Sequence, residues 1–358
     1  MSLDLIPPEL IIKCSLILDL DDLARLIRTN KYLNEIVDSS YFWKERFIQD
    51  YGCVKVSDDM KGLYQRYGTV YISESSLSPK KIPKFKAQEV AFGDRYIVFI
   101  DFNDDFWIKD SSGLNKISNI KVKRIASGHY HTLFISLDDK IYILKNNTPD
   151  VEILRGTIID QMGLLPNTET TNYFFDRIGF KAKQIATQGH IVAFINLDDL
   201  LCITGMFGVR PFSVLFDHKV KRVSIGSDHV VFTDLDDNVW SFGHNTRGEL
   251  GLGHTEPTNE ILQIPQLKGK EVFAGDNITF LIDLDDNIWI WGDNQSTPIK
   301  LYHSKAKTLS VNSQGIIFTD LEDNIWKISL EISMHSQIFG VKAMSIAINN
   351  SQIAFIET

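Results

Sequence analysis

The stretch Ile278–Gly292, I-T-F-L-I-D-L-D-D-N-I-W-I-W-G, constrains this chain most, because its pattern recurs. Two runs of β-branched and aromatic residues flank a tight acidic turn, which predicts a β-hairpin. Asp285 and Asp286 suit the turn centre. Asn287 suits the left-handed position that follows, where Asn is tolerated nearly as well as Gly. Close copies run Phe232–Phe242 and Phe318–Ile328, and weaker ones start at Phe99, Phe134 and Phe194. Aligned on Asp286, the anchors are Asp104, Asp139, Asp199, Asp237, Asp286 and Asp323, with gaps of 35, 60, 38, 49 and 37 residues. A hairpin repeated at that period is the blade of a β-propeller.

The two ends supply one more blade. Thr69-Val70-Tyr71-Ile72-Ser73 looks like the second half of a hairpin, with Tyr71 lying 36 residues before Trp107. Ile353-Ala354-Phe355-Ile356-Glu357 looks like a first half, with Glu357 lying 37 residues after Asp320. Joined, they make a split blade, which brings the expected total to seven and leaves no exposed sheet edge. Between anchors, Pro298–Tyr302, Thr308–Val311 and Gly315–Phe318 are separated by polar or glycine-bearing turns, predicting four strands per blade.

Composition narrows the function class. The chain has 358 residues, 44% of them hydrophobic, and a net charge of −9. That is enough for a large core and lacks the overall basic footprint of a nucleic-acid binder. No run approaches the roughly 18 apolar residues of a membrane span, and Met-Ser-Leu-Asp is no signal peptide. Cys14, Cys53 and Cys202 are odd in number and far apart, which fits a reducing, intracellular compartment, cytoplasmic or nuclear.

Residues 1–52 have another texture. Ile6-Pro7-Pro8-Glu9-Leu10-Ile11-Ile12 opens a helix, since Pro is accommodated in a first turn. Asp19, Asp21 and Asp22 offer caps for a second helix carrying Leu23, Leu26 and Ile27. Asn30–Val37 gives a third, and Ser39 and Ser40 precede a fourth in which Trp43 and Phe47 share a face. Asp58 and Asp59 are caps for a short helix over the linker, 53–67, which Gly68 stops. Such a bundle has little core of its own and often completes it against a partner. The order of these motifs resembles an F-box: Ile6-Pro7-Pro8-Glu9-Leu10 matches its Leu-Pro-x-Glu-Leu opening, Asp22-Leu23 and Leu26 its capped helix. Asn30-Lys31 to Asn34 and Phe42-Trp43-Lys44 match its later signatures, with Asn30 in place of the usual Cys. The resemblance implies a docking module for the Skp adaptor of cullin-based ubiquitin ligases, with Ile6, Pro7, Pro8, Leu10, Ile11, Leu23 and Leu26 at or beside the interface. The alternative is a helical cap packed on the propeller.

Residues 68–358 resemble regulator-of-chromosome-condensation repeats. Gly243–His254 carries the glycine-rich N-x-x-G-(Q/E)-L-G-x-G signature, and Gly128-His129-Tyr130-His131 and Gly226-Ser227-Asp228-His229 carry the G-x-x-H step. The remaining chemistry is bland. The Asp283–Asn287 acids lack the Gly and Glu of a calcium loop. His129 and His131 are the only metal-spaced pair, and His131 shares a column with His229, Tyr96 and Ile191, as a strand residue would. Gly248, Gly251 and Gly253 are not followed by Lys-Ser or Lys-Thr, and no nucleophile elbow is present. The aromatic column Trp107, Tyr142, Trp240, Trp289 and Trp326 suits blade packing. The expectation is therefore a mainly β protein, a seven-bladed β-propeller after a small α-helical F-box-like bundle, with no catalytic residue, metal or cofactor. It would be a substrate adaptor of a cullin-type ligase, binding Skp and an unknown protein substrate, with no nucleic acid or membrane partner, and monomeric outside the ligase. Between Leu144 and Phe180 an insertion offers Met162, Leu164, Leu165, Tyr173, Phe174 and Phe175 as substrate contacts, unless it is only a degenerate blade. Two other functions stay open: guanine-nucleotide exchange on a small GTPase, and a scaffold whose F-box has lost its partner.

Overall fold

Four of the six anchor hairpins are built by one carboxylate, and Ser136 and Asn196 stand at that position in the other two. In the computed structural model, the Asp283 side chain accepts the backbone N–H groups of Asp285 and Asn287, the Asn287 amide and, at 2.9 Å, the Trp289 indole N–H. Asp286 then takes the left-handed conformation, φ 69°, and Asn287 opens the next strand opposite Lys305. This corrects the expectation that Asn287 would be the left-handed residue. Asn is spent on the Asp283 carboxylate, so the position before it absorbs the turn. The other anchors Asp104, Asp139, Asp199, Asp237 and Asp323 share the positive φ. Asp101, Asp234 and Asp320 likewise accept from Trp107, Trp240 and Trp326.

The structure describes residues 7–18, 20–28, 31–51, 59–74, 78–93, 96–128, 131–145, 151–153, 181–189, 191–207, 210–312, 315–329, 334–349 and 352–358. Among these the strands form seven antiparallel four-stranded blades. The fifth is the simplest: Glu271–Ala274, Ile278–Ile282, Asn287–Gly292 and Gln295–Lys305, in sequence order. Three long strands, Gly113–Ser127, Arg210–Ile225 and Met334–Ile348, leave one blade as its outermost strand and enter the next as its innermost. The seventh blade is the expected split one. Its Gln352–Glu357 strand lies between the end of Met334–Ile348 and Thr69–Glu74, with Tyr71 opposite Phe355.

A second repeat locks blade to blade. Every anchor carbonyl accepts the N–H that opens the following blade: Val122 on Asp104, Ala182 on Asp139, Val220 on Asp199, Gly269 on Asp237, Ala306 on Asp286 and Ala343 on Asp323. Each anchor carboxylate in turn holds a side chain from sixteen residues earlier, on or immediately before its own innermost strand. These are Lys123, Lys183, Lys221, Lys270 and Lys307, with Gln88 in the first blade. Apolar side chains fill the layers between blades. Phe280 and Ile282, for example, pack with Leu309, Ile316 and Phe318 of the next blade, all fully or nearly fully buried. The split blade repeats the anchor chemistry with other residues, since the Tyr71 hydroxyl bonds the Glu357 carboxylate where four other blades pair Trp with Asp. Burial and then Lys81 push the Lys86 ammonium at this seam down to about 8, against the pull of Glu357.

The N-terminal part of the chain, up to Thr69, forms a separate compact unit with five helices among its described residues: α1 (Pro8–Ser15), α2 (Leu20–Ile27), α3 (Lys31–Val37), α4 (Ser40–Tyr51) and α5 (Met60–Arg66). Ser39 caps α4 through the Phe42 N–H, and Asp59 caps α5 through the Gly62 N–H. Helix α5 packs on α4, with Trp43 against Tyr64 and Phe47 against Tyr67. Gly68, at φ 71°, follows α5 and its C-cap Tyr67.

Candidate functional site

Helix α1 divides by face. Pro7 stands at its N-cap and Pro8 fills the first turn, where a missing N–H is harmless. Ile11, Ile12 and Ser15 point inward and are buried. Leu10 is 52% exposed, Cys14 is exposed and Ile17, just past the helix, is 83% exposed. These three recur at helical spacing and make an apolar stripe on the outer face. The expected docking set therefore splits. Pro7, Pro8 and Leu10 lie on the surface, whereas Ile11 and Leu23 are 6% and 2% exposed and hold the bundle together. Ile6 and the Leu26 side chain fall outside the described residues. Ile17 was missed, although it follows Leu10 by seven positions. Arg46 on α4 fixes the stripe's end, donating to the Leu16 and Leu18 carbonyls at 3.2 and 2.7 Å while paired with Asp50.

The glycine-rich loop of the fourth blade is a staple to the fifth. Asn245 is fully buried; its amide donates to the His254 and Glu256 carbonyls and its oxygen accepts the Leu250 N–H. The Glu249 carbonyl accepts both the Trp291 indole N–H and the Thr279 hydroxyl. A Cβ on Gly251 would lie 2.9 Å from that indole nitrogen, and one on Gly248 2.6 Å from Ser296, so both positions require glycine. His229 stands behind the loop with Nε2 2.9 Å from the Thr279 hydroxyl. Burial, then the neighbouring His244, lowers its pKa to about 3. Tyr96, in the same column, reaches Thr132 of its following blade in the same way. The G-x-x-H step is thus inter-blade structure. The loop is held by hydrogen bonds within itself and by Thr279 and Trp291 of the fifth blade.

A family model for the F-box domain matches residues 3–45, and one for the regulator of chromosome condensation (RCC1) repeat matches residues 220–249. The chain thus carries an F-box domain at residues 3–45 and an RCC1-like repeat within its propeller. No curated protein sequence matches it. Among solved structures, human WBSCR16 superposes with a TM-score of 0.63 at 10% identity, covering 81% of this chain and all of that one. Prp20p from Saccharomyces cerevisiae gives 0.65 at 11% identity, covering 88% and 94%. At such identity the likeness concerns the fold.

Other surfaces of the chain are less directed. Met162, Leu164, Leu165, Tyr173, Phe174 and Phe175 lie outside the described residues. Five hairpin turns each expose a leucine about by half at one position (Leu137, Leu197, Leu235, Leu284 and Leu321), a repeat legible in the sequence but unremarked there. The innermost strands enclose a central channel of about 580 Å³. Among the described residues, no group of three or more His, Cys, Asp or Glu is placed to hold a metal ion, and no helix is long and apolar enough to cross a membrane.

Proposed function

We propose that this chain is a substrate adaptor of a cullin-type ubiquitin ligase, working by binding alone. The observation that carries the reading is an F-box domain joined to a seven-bladed propeller on one chain. The F-box helices would present Pro7, Pro8, Leu10 and Ile17 to the Skp adaptor, with Ile11 and Leu23 acting from inside by keeping α1 in place. The propeller would hold a protein substrate. Co-purification of the intact chain with purified Skp adaptor tests this directly.

A second reading has one supporting observation. The fold is shared with Prp20p, a protein described by its binding to Gsp1p and histones. Guanine-nucleotide exchange on a small GTPase would then reside in the propeller. Nucleotide release from a GTPase panel separates the readings, since an adaptor leaves release unchanged.

A further inference from the structure

The outermost strand of the split blade, Lys80–Lys86, has four lysines in seven residues, K-K-I-P-K-F-K, and no acid, on a chain whose net charge is −9. It ends its sheet, beside Thr69–Glu74. Ile82 and Phe85 turn into the layer shared with the first blade, where Phe85 meets the Phe99 and Trp107 rings. Lys80, Lys81, Pro83 and Lys84 are left exposed. Lys84 takes the left-handed conformation, φ 56°, and turns the strand so that its two buried positions fall three apart.

Lysine, proline and a kink on an edge strand can serve merely to stop other chains from pairing with it. The fourth blade shows how much of this the fold needs. In its outermost strand, Thr258–Lys268, Ile264-Pro265-Gln266-Leu267 repeats Ile82-Pro83-Lys84-Phe85, with Ile264 and Leu267 buried and Gln266 at φ 60°. Leu262, Gln263 and Gln266 stand there in place of Lys80, Lys81 and Lys84. Its one lysine, Lys268, bonds the hairpin turn at the Asp236 carbonyl and Asn238, and Lys86 at the matching position lies by Glu357. Lys80, Lys81 and Lys84 make no ion pair among the described residues, so they exceed what the edge and the kink require. They also crowd like charge: after burial, Lys81 does most to lower the Lys86 pKa to about 8. An anion bound along the strand would relieve that repulsion. The kind of anion follows from what surrounds the lysines. No aromatic or large apolar side chain of this strand is exposed, so bases would find no ring to stack on and a bilayer no residue to insert. A straight row of charge about 20 Å long, on a strand with one unpaired edge, suits an extended peptide bearing carboxylates.

We propose that Lys80, Lys81 and Lys84 dock an acidic, extended segment of a partner protein along the outer edge of the split blade. This rests on the adaptor reading only in taking the partner to be a protein. Fluorescence anisotropy at low salt with a labelled Gly-Glu-Glu-Gly-Glu-Glu-Gly peptide tests it against the glutamine counterpart, which keeps the shape and loses the charge. The glutamine peptide should bind about tenfold more weakly. Lys80→Gln with Lys81→Gln and Lys84→Gln should weaken the glutamate peptide about tenfold, and the fourth blade shows that glutamine suits the kink. Lys300→Gln, on the outermost strand of the fifth blade, should leave the affinity unchanged. Equal affinity of the wild-type chain for the two peptides would overturn the proposal, whether or not the triple variant folds. So would a loss in Lys300→Gln as large as in the triple variant. An oligothymidylate, or vesicles of phosphatidylserine with phosphatidylcholine, that binds as tightly as the glutamate peptide and is released by the same triple change would overturn the choice of a peptide. Skp capture by the same samples is read separately. A chain that captures the adaptor and does not prefer the glutamate peptide overturns the strand site alone; the reverse overturns only the adaptor reading.

Discussion

His229 is neutral in the folded chain because burial, reinforced by His244, holds its pKa near 3. In the unfolded chain it titrates at about 6.5. The unfolded state therefore binds the extra proton first as pH falls, so this stabilisation is complete above pH ~6.5 and lost below it, by up to about 1.4 kcal/mol per pH unit. Thermal melting between pH 7 and pH 5 should show the fall, and His229→Gln should flatten it. Asp283 works in the same direction at lower pH. Burial pushes its carboxyl up, but hydrogen bonds from Trp289, Asn287 and the backbone outweigh this and hold it below the usual range. Its contribution is full above pH ~4 and lost as pH falls through the depressed value. Asp283→Asn would set an amide N–H against the Trp289 N–H, so it should cost about 1–3 kcal/mol. Asp285→Asn, at an exposed side chain with no hydrogen bond among the described residues, should cost under ~0.5 kcal/mol by denaturant titration. The hairpin was legible from Asp285, Asp286 and the flanking apolar runs. The indole–carboxylate bond was not, because six residues of separation cross a turn whose shape depends on that same carboxylate.

The elements differ in how much of them could be read. Blade strands alternate so regularly that their period and number follow from the sequence, including Tyr71 and Glu357 as the two halves of one anchor. The sixteen-residue offset of the anchor lysines stayed hidden, since Lys270 and Asp286 meet only once three strands have paired. Helix α1 shows the opposite limit. Pro7, Leu10 and Ile11 were grouped by motif, yet the helical period sends Leu10 outward and Ile11 into the bundle. The glycine-rich loop offers a quantitative check. Gly251 has φ 70° and its missing Cβ faces the Trp291 indole, whereas Gly253 has φ 84° and open space beside it, the nearest atom 3.8 Å away. Gly253→Ala should therefore cost only the left-handed penalty, about 1–2 kcal/mol, and Gly251→Ala distinctly more. Equal losses in denaturant titration would show that the indole contact carries no strain.

At the scale of the whole molecule, closure and docking are the two claims. The strand Gln352–Glu357 is paired on both sides and buries Ile353, Ala354, Phe355 and Ile356. Deleting Ile353–Thr358 should open the ring at the split blade, expose an unpaired edge, and give insoluble protein or a large fall in melting temperature. A truncated chain that melts unchanged would contradict seven-blade closure. Docking is tested by one measurement, the affinity of the purified chain for the Skp adaptor, wild type beside Pro7→Ala with Leu10→Ala. Each changed side chain is on the surface of the helical unit, so the propeller should melt as before. Truncating interface anchors typically costs about 1–4 kcal/mol, so the double change should weaken binding at least about tenfold. Wild-type binding at micromolar adaptor that falls away in the double variant is the predicted result; a wild-type chain that does not bind the adaptor at all would contradict the ligase reading.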